Sequence, residues 1–379
     1  MGRLRKCAAL FAALVLTSVG CAETPSPRFD PLSISFLSDT EGFVLGTDSP
    51  CPAGASRLAV RRTVDGGVTW HEMPAIVPPP GTTNLRFVTA RDGWARTHVL
   101  WATHDGGLTW RDAKADEGSF PEWGGRGNLA LRDRTVESIR VSRDGVPTIH
   151  RGGVGGGDWV DVASLELGPK DMRKPFVDVA GDGDRTWIWV LERESGTPAT
   201  GAIWDGSGLA RWTPPCSGPR DRPVEVRAPA PATVLVACGT GDLRARDERE
   251  VALLRSTDGG ESFTGAPLPA DPAFGSGVRL VAAPTPRDLL LVSGIGLWHS
   301  GDGGQNWSVA YKPDRLGSQQ QGGPFISYPS DAVFRTPSSG FLIETRRWMP
   351  DTARSYREQR TLLRTEDAGK TWTAMEFDA

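Results

Sequence analysis

Five aspartates recur in one setting. Asp65, Asp105, Asp258, Asp302 and Asp367 each stand two residues after a Ser or Thr. Gly-Gly or Ala-Gly follows each, and five residues on comes an aromatic ring: Trp70, Trp110, Phe263, Trp307 or Trp372. Such a carboxylate can serve as acid, base or nucleophile, or it can accept hydrogen bonds from the N–H groups of the turn it opens. The spacing favours the second role, because aspartates at equivalent points of a repeat cannot all face one site. The glycines supply positive φ without a Cβ clash, and the ring can fold beneath the turn.

The other reactive side chains are scattered. Tyr311, Tyr328 and Tyr356 lie in or beside expected loops. Tyr328 is near Asp331 in the chain, but an aromatic packing on its own loop is the simpler reading. His71, His98, His104, His150 and His299 form no triad with Ser and Asp. Gly152–Gly157 runs into Asp158 and Trp159 instead of Lys-Ser/Thr, so it is no phosphate loop. Asp182 and Asp184 fall in a first hairpin turn and offer too few oxygens for calcium. No CxxC or HExxH occurs, and neither metal nor cofactor is expected. A pair of glycosidase carboxylates cannot be picked out among so many Asp and Glu residues. The candidate binding loop is Arg346, Arg347 and Trp348 through Tyr356, which mixes residue types enriched at binding hot spots. A solvated hairpin extension is the equal alternative.

The elements that must position these residues are short strands. Ile34-Ser35-Phe36, a turn, then Gly42 to Gly46 precede the first aspartate word. Leu85-Arg86-Phe87 with Gly93-Trp94-Ala95, and Ala332-Val333-Phe334 with Gly340 to Ile343, repeat that layout. Each unit therefore reads as two hairpins, four strands, with the aspartate word as the third turn. Degenerate copies fill the middle, giving units near 32–78, 82–118, 127–165, 174–215, 222–269, 277–312 and 329–379. The reading is all-β: a single β-propeller of seven four-stranded blades, with six or eight still open because the third and fourth units are weak. First and third turns must share one face. Most long connections, such as 47–56, 192–201, 239–250 and 346–360, then fall on the other, the usual place for recognition on a rigid scaffold.

The repeated word S/T-x-D-G/A-G-x-x-W/F resembles the Asp-box, or BNR repeat, of sialidases, plant-polysaccharide hydrolases, sortilin-like receptors and the photosystem II assembly factor family. The resemblance implies β-propeller blades with the box between the third and fourth strands, and structural box aspartates. A sialidase would need an arginine cluster, a Tyr nucleophile with a Glu partner and an acidic donor. Its early Phe-Arg-Ile-Pro-like motif is missing; Pro27-Arg28-Phe29 does not match. The layout is more similar to the photosystem II assembly factor type, which implies a non-catalytic scaffold of protein assembly. An exported glycoside hydrolase on the same scaffold is the alternative.

The chain has 379 residues, balanced charge and many Gly and Pro, which suits a large single domain of strands and tight turns. The slightly negative net charge argues against nucleic acid. Arg3, Arg5 and Lys6 followed by apolar Ala8–Leu16 read as a signal peptide over 1–20. Ser18-Val19-Gly20-Cys21 resembles a bacterial lipobox, with lipid on Cys21 and a Pro-rich tether over 21–31 before a propeller over 32–379. Ser18 stands where Leu is usual, so plain secretion after cleavage near Ala22 stays open. Of the remaining cysteines, Cys216 and Cys238 flank the start of one unit and are the expected disulfide, with Cys51 left over. The expectation is a monomer held by lipid at the bacterial envelope, or secreted, that binds an envelope protein or a glycan.

Overall fold

The computed structural model describes residues 28–49, 57–97, 100–112, 129–132, 135–141, 147–153, 160–164, 175–181, 185–192, 200–216, 222–242, 247–269, 279–293, 296–312, 326–348 and 357–377. Every regular element among them is a strand. The first sheet holds β1 (Arg28–Phe36), β2 (Gly42–Ser49), β3 (Arg57–Thr63) and β4 (His71–Glu72). The second holds β5 (Asn84–Phe87), β6 (Gly93–Arg96), β7 (Leu100–Thr103) and β8 (Arg111–Asp112). The third holds β9 (Leu129–Arg132), β10 (Thr135–Val141), β11 (Pro147–Gly153) and β12 (Val160–Ser164). β13 (Pro175–Gly181), β14 (Thr186–Glu192), β15 (Thr200–Trp204) and β16 (Leu209–Trp212) make the fourth. β17 (Arg222–Ala230), β18 (Thr233–Asp242), β19 (Asp247–Ser256) and β20 (Thr264–Ala266) make the fifth. β21 (Arg279–Ala282), β22 (Leu289–Ser293), β23 (Gly296–Ser300) and β24 (Ser308–Tyr311) make the sixth. The last holds β25 (Ile326–Phe334), β26 (Gly340–Trp348), β27 (Arg357–Thr365) and β28 (Thr373–Ala374).

Each sheet is a four-stranded meander of consecutive strands. The chain is a single all-β propeller: β1 meets β5 and β25, and β17 meets β13 and β21, so first strands line the axis. Middle strands are covered on both faces by neighbouring sheets, so they read as apolar runs without alternation. β23, GLWHS, is buried at all five positions. The core lies between sheets. Phe43 stacks on Phe87 of the next sheet at 4.3 Å, and Trp187, Trp212 and Val234 fill the gap between the fourth and fifth.

Two boundaries differ from expectation. β1 begins at Arg28, inside the segment read as tether, because Phe29 packs into the space left by Gly46, which has no Cβ. Arg346, Arg347 and Trp348 end β26 and Arg357 opens β27, so the loop between them spans only 349–356. Extended pairing from Arg346↔Gln359 to Trp348↔Arg357 carries the hairpin further out than the sequence suggests.

Candidate functional site

The five repeated turns share one geometry. Thr63, Thr103, Ser256, Ser300 and Thr365 end the third strands and are buried. Each hydroxyl donates to its aspartate, at 2.7, 2.8, 2.6, 2.8 and 2.9 Å. Each also accepts the N–H of the second glycine; Gly67 to Thr63 is 2.8 Å. The aspartate accepts from the far side of the turn: Asp65 takes the Val68 and Thr69 N–H groups and the Thr69 hydroxyl. At Asp302 the Asn306 amide replaces that hydroxyl, at 2.7 Å.

These bonds favour the ionised carboxylate. The Thr109 hydroxyl and N–H hold Asp105 down at about 2. The Asn306 N–H and side chain do the same for Asp302, at about 2. At Asp65 and Asp367 burial pushes the other way, but the hydrogen bonds outweigh it and the pKa is lowered. The Ser256 and Ser262 hydroxyls lower Asp258. A carboxylate so engaged is a poor proton shuttle.

The turns are also stapled to the first turns of their own sheets. Gly66 donates to Thr40, Gly106 to Arg91, Gly259 to Ala232, Gly303 to Arg287 and Ala368 to Ser338, all backbone to backbone. First and third turns therefore share one face, as the meander requires. His104 and His299 serve here: each ring bonds a first-turn aspartate, Asp92 at 2.9 Å and Asp288 at 3.1 Å. The aromatic ends pack below. Trp70 meets Phe36 and Phe341, Trp110 meets Phe87, Trp372 meets Phe334, Phe263 joins the Trp187 cluster, and the Trp307 N–H donates to the Pro267 carbonyl.

The first strands hold a second repeat that the sequence reading missed. β1, β17 and β25 each carry a bulge after a proline, between Pro31 and Ser33, Pro223 and Glu225, and Pro329 and Asp331. A proline inside a strand is the signal that could have found them. Asp331, 4% exposed, accepts the Ile34 N–H at 3.0 Å, the Ser33 hydroxyl at 3.2 Å and Arg86 at 3.0 Å, joining the last sheet to the first two. Ser33 bonds the Leu85 N–H and carbonyl, and Ser35 bonds those of Phe87. Arg227, beside Glu225, donates to the Val281 carbonyl of the next sheet. Asp331 thus has a ring-closing role.

The opposite face is where the second connections and the sheet-to-sheet links leave. Several of its described charges are paired. Arg57 bonds Asp48 and Glu72, Arg347 faces Glu358 at 3.6 Å, and Arg360 holds Asp30 at 2.8 Å. Arg346 donates to Glu344 at 3.1 Å and to the Tyr311 hydroxyl at 3.1 Å. Burial, then the Glu344 charge, raise the Tyr311 pKa; Arg346 only partly offsets this. A phenol held up in that way is not poised as a nucleophile.

Of the candidate binding residues, Arg346 is mostly buried in this network and Arg347 lies in a cross-strand pair, both on β26 and not in a loop. The Trp348 and Tyr328 side chains, Tyr356, Cys21, Cys51, Asp182, Asp184 and the signal and tether up to residue 27 lie outside the described residues. Cys216 and Cys238 form a disulfide with Cα atoms 5.5 Å apart, joining the link after the fourth sheet to β18.

No family model matches the chain. A Paenibacillus xyloglucanase is 30% identical over 238 residues, 58% of this chain and 21% of that enzyme. The match thus spans about a fifth of the relative's length. Among solved structures, YCF48 bound to a D1 peptide is similar at TM-score 0.54 and 17% identity, over 90% of this chain and 95% of that one. A PL25 ulvan lyase reaches TM-score 0.55 at 8% identity, over 92% and 98%. The propeller domain of the Trilobed protease from Pyrococcus furiosus reaches 0.54 at 10%, over 93% and 99%. Structures this distant in sequence share the propeller fold with the chain and say nothing more of it.

Proposed function

We propose that the protein is a non-catalytic binding or assembly scaffold, exported and anchored through lipid on Cys21. In this reading the seven sheets are seven blades, capped by five Asp-box turns, and the face carrying the longer connections recognises a protein. The observation that carries it is the engagement of the chemistry-bearing side chains among the described residues. The box aspartates accept the hydrogen bonds of their own turns, and the Tyr311 phenol is held between Arg346 and Glu344. YCF48, the similar fold solved with a D1 peptide, supports a protein ligand. A pull-down from envelope membranes tests it, comparing the full chain with one whose residues 349–356 are replaced by a Gly/Ser linker. Loss of a captured protein is expected; identical captures from both would remove that connection from the reading.

The second reading is a glycoside hydrolase, favoured by the identity to the xyloglucanase. Release of reducing ends from xyloglucan by the purified chain, abolished by a single carboxylate substitution, would replace the first reading with this one.

A further inference from the structure

We infer that the connection face, not the repeated-turn face, is turned toward the bilayer. The inference rests on the lipid reading of Cys21 and adds an orientation to it. β1 runs from the connection face to the turn face. Arg28 pairs with Ser49 at the edge where the second connection leaves, and Phe36 pairs with Gly42 at the first turn. The beginning of β1 is fixed at that edge. Asp30 accepts the Arg360 N–H and guanidinium, each at 2.8 Å, from the last sheet. Phe29 packs on Phe377 at 4.6 Å and lies under the Arg61 guanidinium.

Only residues 22–27 separate Cys21 from Arg28. Fully extended, that stretch reaches about 25 Å. The shortest way for the tether to reach the turn face is back along β1 beside the axis, about 26 Å at ~3.3 Å per residue; a path outward across the four-stranded sheet adds about 14 Å at ~4.8 Å between strands. The axial path already uses the whole reach of the tether before Cys21 clears the turns, so the face beside Arg28 is the one held against the membrane.

The test uses the full lipidated chain in a Cys51→Ser background, with Lys312→Cys on the connection face or Leu108→Cys on a repeated turn. Each is labelled with a fluorophore and reconstituted into vesicles carrying nitroxide-labelled lipid. Quenching several-fold stronger at 312 than at 108 is expected, and a long Gly/Ser spacer between Pro27 and Arg28 should erase the difference. Equal quenching, or stronger quenching at 108, would overturn the orientation. Flotation of the same samples reports the anchor separately. Chains that float and quench at 108 sink the orientation alone, whereas chains that do not float sink the anchor and the orientation together.

Discussion

The two faces of the propeller carry similar side chains, carboxylates beside hydroxyls and arginines, yet close their contacts over different distances. On the turn face, Asp65 finds its partners in Thr63, Val68 and Thr69. On the opposite edge and along the axis, several partners come from other sheets. Tyr311 meets Glu344 and Arg346, Asp30 meets Arg360, and Asp331 meets Ser33 and Arg86. Local contacts can be copied blade by blade, because the whole unit lies in one short word. Remote contacts occur once and depend on how the ring closes. Since no strand is shared between the first and last sheets among the described residues, closure there rests on side chains: Asp331, the Asp30–Arg360 pair and Phe36 stacked on Phe341 at 5.0 Å.

The largest expected effect tests the remote side of this contrast. Asp331→Ala leaves Arg86 without its carboxylate and the Ile34 N–H without its acceptor, and should destabilise the fold by about 3–5 kcal/mol. Thermal melts of the variant should show this loss; a melt within a degree or so of the parent would mean that the seam does not depend on Asp331.

Within the turns, the two glycines should separate. A Cβ on Gly106 would meet nothing closer than the Ala90 carbonyl at 3.1 Å, and Ala368 already occupies the equivalent position at φ 62°. A Cβ on Gly67 would come 2.3 Å from the Phe341 ring of the last sheet, at φ +82°. Gly67→Ala therefore combines backbone strain with overpacking, about 3 kcal/mol together, against roughly 1 kcal/mol for Gly106→Ala. Urea midpoints for the pair check this, and equal shifts would remove the inter-sheet contact from the account. Replacing Cys216 and Cys238 by Ser should cost about 2–4 kcal/mol, since the bridge closes a loop of 22 residues. Melts with and without reductant measure it.

Acid should weaken the turn face in a defined window. Asp105 and Asp302 have folded pKa values of about 2, below the ordinary value near 4. A depressed folded pKa gives stability that is complete above about pH 4 and lost as pH falls toward 2. Urea midpoints should drop across that window, and less steeply in Asp105→Asn. An equal slope in the variant would mean that other groups carry the acid sensitivity. The smallest effect belongs to the exposed pairs: Arg57→Ala should change stability by no more than about 0.5 kcal/mol.

Much of the fold was legible because its signals are short-range. The seven sheets fall within a few residues of the expected units, and the third turns lie on the aspartate words. Cys216 and Cys238 could be paired because both flank the start of one unit. Arg346 and Arg347 read as a recognition loop because nothing nearby in the chain reveals Tyr311, which reaches Arg346 from the neighbouring sheet. Asp331 carried no local mark beyond Pro329, and its closest partners lie at the far end of the chain.

The sequence by itself determined the repeat, the strand-and-turn grammar and the local hydrogen bonding open to the repeated aspartates. Glycine stereochemistry and a hydroxyl two residues ahead of a carboxylate act within a single turn. Tertiary structure alone decided which carboxylates close the ring, which arginines are already paired and which face the chain's first strand starts from. Those depend on residues some 300 positions apart being brought within hydrogen-bonding distance.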